Sequence, residues 1–151
     1  MSEELTKDMP AWRKQAIDHP FQTVGFDRLC GLEFTEISSD ETVISCELRP
    51  EHLNPGGNVH GGVIATLADV AACTMSGKAD RVKHPLVTQS CNIHYLRPVS
   101  AGRLQARAHV VRKGTRVCVV AVDCEDEEHN IVATAIYEVA YLDPSVLQSK
   151  S

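Results

Sequence analysis

From Gly61 to Gly77 the chain reads Gly-Gly-Val-Ile-Ala-Thr-Leu-Ala-Asp-Val-Ala-Ala-Cys-Thr-Met-Ser-Gly, apolar or small at almost every position and free of proline. That pattern predicts a helix buried on most of its surface. On both sides the pattern changes to short runs rich in β-branched residues. Strands are expected at 31–38 and 41–49, turning at Ser38-Ser39-Asp40, and at 86–96, 103–112, 115–124 and 131–142, with Gly114 and the polar stretch Asp126–Asn130 as turns. Residues 8–18 predict a short N-terminal helix. Asp8 suits its cap, Pro10 its first turn, and His19-Pro20 ends it. One long buried helix followed by four consecutive strands implies an antiparallel sheet with the helix on one face, an α+β layer architecture. No repeat or linker interrupts the pattern, so a single domain over 1–151 is expected, ending in a polar tail from Asp143 to Ser151.

Composition narrows the class only modestly. A formal charge of −5 argues against a general nucleic-acid binder, which would carry a basic face. The six cysteines (Cys30, Cys46, Cys73, Cys91, Cys118, Cys124) show no CxxC, and the opening Met1-Ser2-Glu3-Glu4 is unlike a secretory signal. Reduced cysteines serving as small hydrophobes in a cytoplasmic protein are expected. The 61–77 run is too short and too polar for a membrane span.

Asp69 is the only charged residue between His60 and Lys78. Burying an unpaired carboxylate costs roughly several kcal/mol unless it is hydrogen-bonded or faces a cavity. It is either a structural carboxylate satisfied by Thr or backbone donors, or a functional acid. His60-Gly61-Gly62 opens the same helix. It is either a tight loop-to-helix transition with His60 as a cap, or an uncovered positive helix end able to hold a carbonyl oxygen or an anion. Gly61 and Asp69 are eight residues apart, about 12 Å along a helix, and His60 and Asp69 are about 900° of rotation apart. If the two features cooperate on one carbonyl, Asp69 must meet the helix start of a second copy, and function needs a dimer.

The segment Leu53-Asn54-Pro55-Gly56-Gly57-Asn58-Val59-His60-Gly61-Gly62-Val63-Ile64-Ala65-Thr66-Leu67-Ala68-Asp69 resembles the signature of hotdog-fold acyl-CoA thioesterases of the phenylacetate-pathway (PaaI-like) branch. The likeness extends to His19-Pro20-Phe21, Gly31-Leu32, Asn92–Pro98, Gly102-Arg103-Leu104 and Val110–Gly114, covering roughly residues 19–142. It implies a hotdog fold, in which a curved antiparallel sheet wraps a long central helix, and a homodimer that usually pairs into a tetramer. It implies an acyl-CoA substrate, with coenzyme A as part of the substrate and no separate cofactor. By position, Asp69 would be general base or nucleophile and the Gly61 amide would polarise the thioester carbonyl. Asn54 and His60 would support carbonyl binding, and Thr88 would position the water. Gly62 completes the helix start that receives substrate.

The turn Arg112-Lys113-Gly114-Thr115-Arg116 gathers three cations, either for the CoA phosphates or as an ordinary solvated hairpin. His52, His60, His84 and His94 lack metal-ligand spacing, so no metal is expected, and no Gly-x-Ser-x-Gly elbow occurs. His94 and Tyr95 read as sheet-face residues, and Cys73 and Met75 as core. The leading expectation is an acyl-CoA thioesterase. The alternatives are a non-catalytic acyl-CoA-binding hotdog protein and a hotdog hydratase or dehydratase.

Overall fold

The structure, a computed structural model, describes residues 23–80 and 84–143. The helix expected at 8–18 and the tail beyond Asp143 lie outside the described residues. A short helix α1 (Gly25–Leu29), not anticipated from the sequence, leads into strands β1 (Leu32–Ile37) and β2 (Thr42–Glu47). After a 3₁₀ turn at Pro50–His52 comes the long helix α2 (Gly61–Ala79). It is followed by β3 (Leu86–Tyr95), β4 (Arg103–Lys113), β5 (Val117–Glu125) and β6 (Ile131–Tyr141). The six strands form one sheet in the order β1-β2-β4-β5-β6-β3, every neighbouring pair antiparallel.

Helix α2 lies on one face of this sheet, against β2 to β6. Its buried residues are Ile64, Leu67, Ala68, Ala71, Ala72, Met75 and Ser76, the 3–4 spacing of one helical stripe. They meet alternating inward positions of the strands, among them Leu104, Ala106 and Ala108 of β4 and Cys118, Val120, Val122 and Cys124 of β5. Alanine on both sides lets helix and sheet approach closely. At the fully buried Leu67, truncation to alanine would cost about 2–5 kcal/mol.

The chain's three tyrosines all tie the sheet to this helix. Tyr95, Tyr137 and Tyr141 donate their hydroxyls to the carbonyls of Gly61 (3.1 Å), Ala65 (3.2 Å) and Ser76 (3.0 Å). These contacts fix α2 along its length, from the exposed start to the buried end.

The two sheet edges differ. β1 is six residues long, carries Glu33 and Glu36, and shifts register against β2 between Phe34 and Glu36. β3 is ten residues long, contains no Asp, Glu, Lys or Arg, and leaves Val87 and Tyr95 exposed, with Leu96 beyond it. Its pairing with β6 shifts between Thr88 and Ser90, so Gln89 is an extra residue, a bulge. Thr88 and Tyr95 are seven residues apart and would face opposite sides of a regular strand. The bulge corrects the parity, and both reach α2.

Candidate active site

The loop before α2 is held by its own backbone. Leu53 bridges Val59, the Asn54 N–H donates to the Asn58 carbonyl (2.7 Å), and Gly57 takes a positive φ of 78° at the tip. The Asn54 side-chain oxygen accepts from the Gly56 N–H (2.8 Å) and the Asn58 N–H (3.3 Å). An Asx turn of this kind uses the amide oxygen and leaves the Nδ2 hydrogens free to donate.

At the helix start, His60 is the N-cap. Its Nδ1 accepts from the Gly62 N–H at 2.9 Å, and its carbonyl accepts from the Val63 N–H at 2.9 Å. The Gly62 amide is therefore taken, and among the described residues the Gly61 N–H has no acceptor. Gly61 also sits under the Tyr95 ring, where a Cβ would lie 3.3 Å from the ring carbon Cζ. A cavity of about 350 Å³ opens beside it, with Asn54, Asn58, Ile64, Tyr95 and Arg97 in its wall. The site thus offers one backbone donor at the positive end of the helix dipole, with Asn54 and Asn58 nearby.

Asp69 lies two turns further along α2 and is half-buried. The Thr88 hydroxyl on β3 donates to Asp69 Oδ1 at 2.6 Å, a short charge-assisted bond. Oδ2 has no hydrogen-bond partner among the described residues. The expected solution to a carboxylate in this helix is present: a threonine satisfies one oxygen and the other stays open. The Cys73 sulfur lies 3.2 Å from the same hydroxyl oxygen. Burial pushes the Asp27 carboxyl on α1 above the usual aspartate range, and the charge of Asp69 adds to the shift.

Within one chain, then, the structure joins Thr88 to Asp69 and His60 to Gly62, and groups Asn54 with Gly61 around the cavity. It does not bring Asp69 to Gly61, as the helical rise required. The basic residues Arg112, Lys113 and Arg116 are exposed at the β4–β5 turn, with the Lys113 ammonium 5.5 Å over the Tyr141 ring. Strand register sets Leu86 beside Tyr141 and Val117 beside Ala140, so this turn shares the Thr88 end of the sheet. Tyr95 and Gly61 lie at the other end, roughly 30 Å away along β3. Arg103 and Arg107 are paired with Glu47 and Glu41, whereas Arg112, Lys113 and Arg116 have no ion pair among the described residues.

Tyr95 on a sheet face and Cys73 beside the core are as expected, but the sequence does not foretell their contacts with Gly61 and Thr88, nor single out Asn58 or Asp27. All of them touch or flank these groups. A period-2 reading puts Thr88 and Tyr95 on opposite faces, because the bulge at Gln89 is invisible to it. No group of three or more His, Cys, Asp or Glu side chains among the described residues could hold a metal ion. No helix of the described residues is long and apolar enough to cross a membrane.

The thioesterase superfamily model matches residues 56–133, the stretch from the loop tip into β6. Acyl-coenzyme A thioesterase 13 of Mus musculus is 32% identical over 106 residues, which is 68% of this chain and 74% of the relative. Among solved structures, a mutant of the phenylacetic acid degradation protein PaaI from Thermus thermophilus superimposes with a TM-score of 0.71 at 33% identity, covering 78% of this chain and 98% of the other. The PaaI protein of E. coli, at 20% identity, shares the fold with a TM-score of 0.76 over 86% of this chain and 93% of its own. The chain belongs to the thioesterase superfamily, a thioester hydrolase class with the hotdog fold.

Proposed function

We propose that this chain is a single-domain acyl-CoA thioesterase whose active site is shared between two copies, with Asp69 from one and the Gly61 amide from the other. The observation that carries this reading is the held carboxylate: Asp69 has one oxygen on Thr88 and the other open, about 12 Å along its own helix from the open amide. Two antiparallel copies of α2 related by a two-fold axis bring each Asp69 to the helix start of its mate. The long, uncharged β3 edge with exposed Val87 and Tyr95 supports docking on that side, since such an edge is a template for pairing. A further pairing of dimers into a tetramer is part of the proposal, as is a cytoplasmic setting.

In this site the thioester carbonyl oxygen accepts from the Gly61 N–H, assisted by the helix dipole and the Asn54 side-chain amide, while His60 holds the cap. Asp69 Oδ2 takes a proton from water as the water oxygen attacks the thioester carbon, or attacks that carbon itself to give an anhydride that water then opens. In the first route the C–S bond breaks and the CoA sulfur leaves with the proton Asp69 took from water; in the second it leaves as a thiolate, and the water that opens the anhydride supplies its proton. A thioester carries a good leaving group, so a carboxylate and oxyanion donors suffice without a Ser–His pair. Thr88 holds the Asp69 carboxylate in place and orients the water. The basic turn Arg112-Lys113-Gly114-Thr115-Arg116 receives the CoA phosphates.

Mixed dimers test the shared site. Asp69→Asn and Gly61→Pro are each expected to be inactive alone. Co-expressed in equal amounts they form heterodimers in which one site contains both lesions and the other contains neither. The mixture then recovers about one quarter of wild-type thiol release from an acyl-CoA panel. A mixture as inactive as its parents would refute the shared site. Tight acyl-CoA binding by a wild type that turns over no ester would favour a binding protein instead.

A further inference from the structure

We propose that Cys73 is a positioning residue for the hydrolysis: its thiol donates to Thr88 Oγ1 and thereby commits the Thr88 proton to Asp69. The inference rests on the proposed role of Asp69 and concerns how that carboxylate is held.

The geometry sets the directions of the bonds. A threonine hydroxyl has one proton and two lone pairs. At 2.6 Å from Asp69 Oδ1 that proton belongs to the carboxylate bond. The Cys73 sulfur, 3.2 Å from the same oxygen, is then left with the donor role. Cys73 follows Asp69 by four residues, one helical turn, so both project from the same face of α2 toward β3. Thr88 is bracketed by two side chains of one helix, an acceptor and a donor, and one rotamer satisfies both. Burial pushes the Cys73 thiol up to about 11 against the opposing pull of the Thr88 hydrogen bond, with the charges of Asp69 and Asp27 adding to the rise, so the thiol carries its proton at neutral pH and has one to donate. The bulge at Gln89 turns Thr88 into this bracket. Serine could replace the donor, and a residue such as valine could fill the space without donating.

Steady-state kinetics on an ester that the wild type hydrolyses test the assignment. Cys73→Ala and the space-filling Cys73→Val are expected to lower kcat about 3- to 10-fold, the loss of one hydrogen bond, with KM changed less than about twofold. Cys73→Ser is expected to restore kcat to within about twofold of wild type. In a Thr88→Ala background, Cys73→Ala is expected to cost nothing further, because the two lesions break one chain of bonds. Unchanged kcat in Cys73→Val would overturn the proposal, as would a loss that persists in full without Thr88 or a serine variant as slow as valine. A wild type inactive on every ester would remove the proposed function and this inference together. An active wild type beside an indifferent Cys73→Val would remove the inference alone.

Discussion

At its start α2 presents an uncharged donor, the half-buried Gly61 N–H beside an open cavity, held in place by a histidine cap and a tyrosine tether. Eight residues later the same helix presents a half-buried acceptor, the Asp69 carboxylate, gripped by a hydroxyl from the edge strand. The donor half is built from loop and backbone, and a single amide does its work. The acceptor half is built from side chains across two elements, and its preparation lies in orientation. A chain that separates donor and acceptor by this distance cannot close on one carbonyl alone, but two copies can. The two halves therefore answer differently to mutation.

The largest effect is expected at the acceptor. Asp69→Asn should lower kcat by about 10³-fold or more while the elution volume matches that of wild type and acyl-CoA binding, measured by calorimetry, persists. Near-normal turnover would remove Asp69 from the chemistry. At the donor, Gly61→Pro should cost about 10²- to 10³-fold, because it deletes the amide at the one helical position that tolerates proline. The extended His60 (φ −66°, ψ 133°) is already compatible with a following proline. Gly61→Ala is its control: the amide is kept, and the Tyr95 ring must yield by a few tenths of an ångström. If alanine is as damaging as proline, the position matters for packing rather than donation.

A smaller effect is expected at the basic turn proposed to receive the CoA phosphates. Arg116→Glu should raise KM for CoA esters about 3- to 10-fold, with kcat little changed and the difference shrinking at high salt. An unchanged KM would leave the turn an ordinary hairpin. The smallest effect concerns stability. The folded-state pKa of Asp27 is raised by burial and by Asp69, so its ionised form destabilises the fold as pH rises above the ordinary value of 3.8. Asp27→Asn should therefore raise Tm slightly at pH 7, and the gain should vanish as the pH falls toward 3.8. A gain that is the same at both pH values would point to something other than charge.

Much of this molecule was legible in the sequence because its signals are local. The uninterrupted apolar run from Gly61 marked α2 to within two residues of its end at Ala79, and the β-branched runs marked all six strands to within a few residues. The rise of a helix was enough to show that Gly61 and Asp69 of one chain cannot meet on one carbonyl. Other features stayed hidden because they depend on register. Tyr95 reaches Gly61, and Thr88 reaches Asp69, only because one residue of β3 is left out of the ladder, and no periodicity in the sequence encodes that slip. Cys73 read as core because a thiol in an apolar helix usually is; its contact with Thr88 is fixed by where β3 lands. Helix α1 is five residues long, with no buried residue, too short and too exposed for a pattern to declare it.

The histidine cap has a consequence for which ligands can settle at the start of α2. A phosphate offers several oxygens and is held where several consecutive amides converge on it. Here the imidazole of His60 takes the second amide and its carbonyl the third, so the backbone has a valence of one. One amide matches one carbonyl oxygen. Inorganic phosphate should compete poorly for this position, and under the proposed function the substrate's phosphates must find their partners elsewhere on the surface.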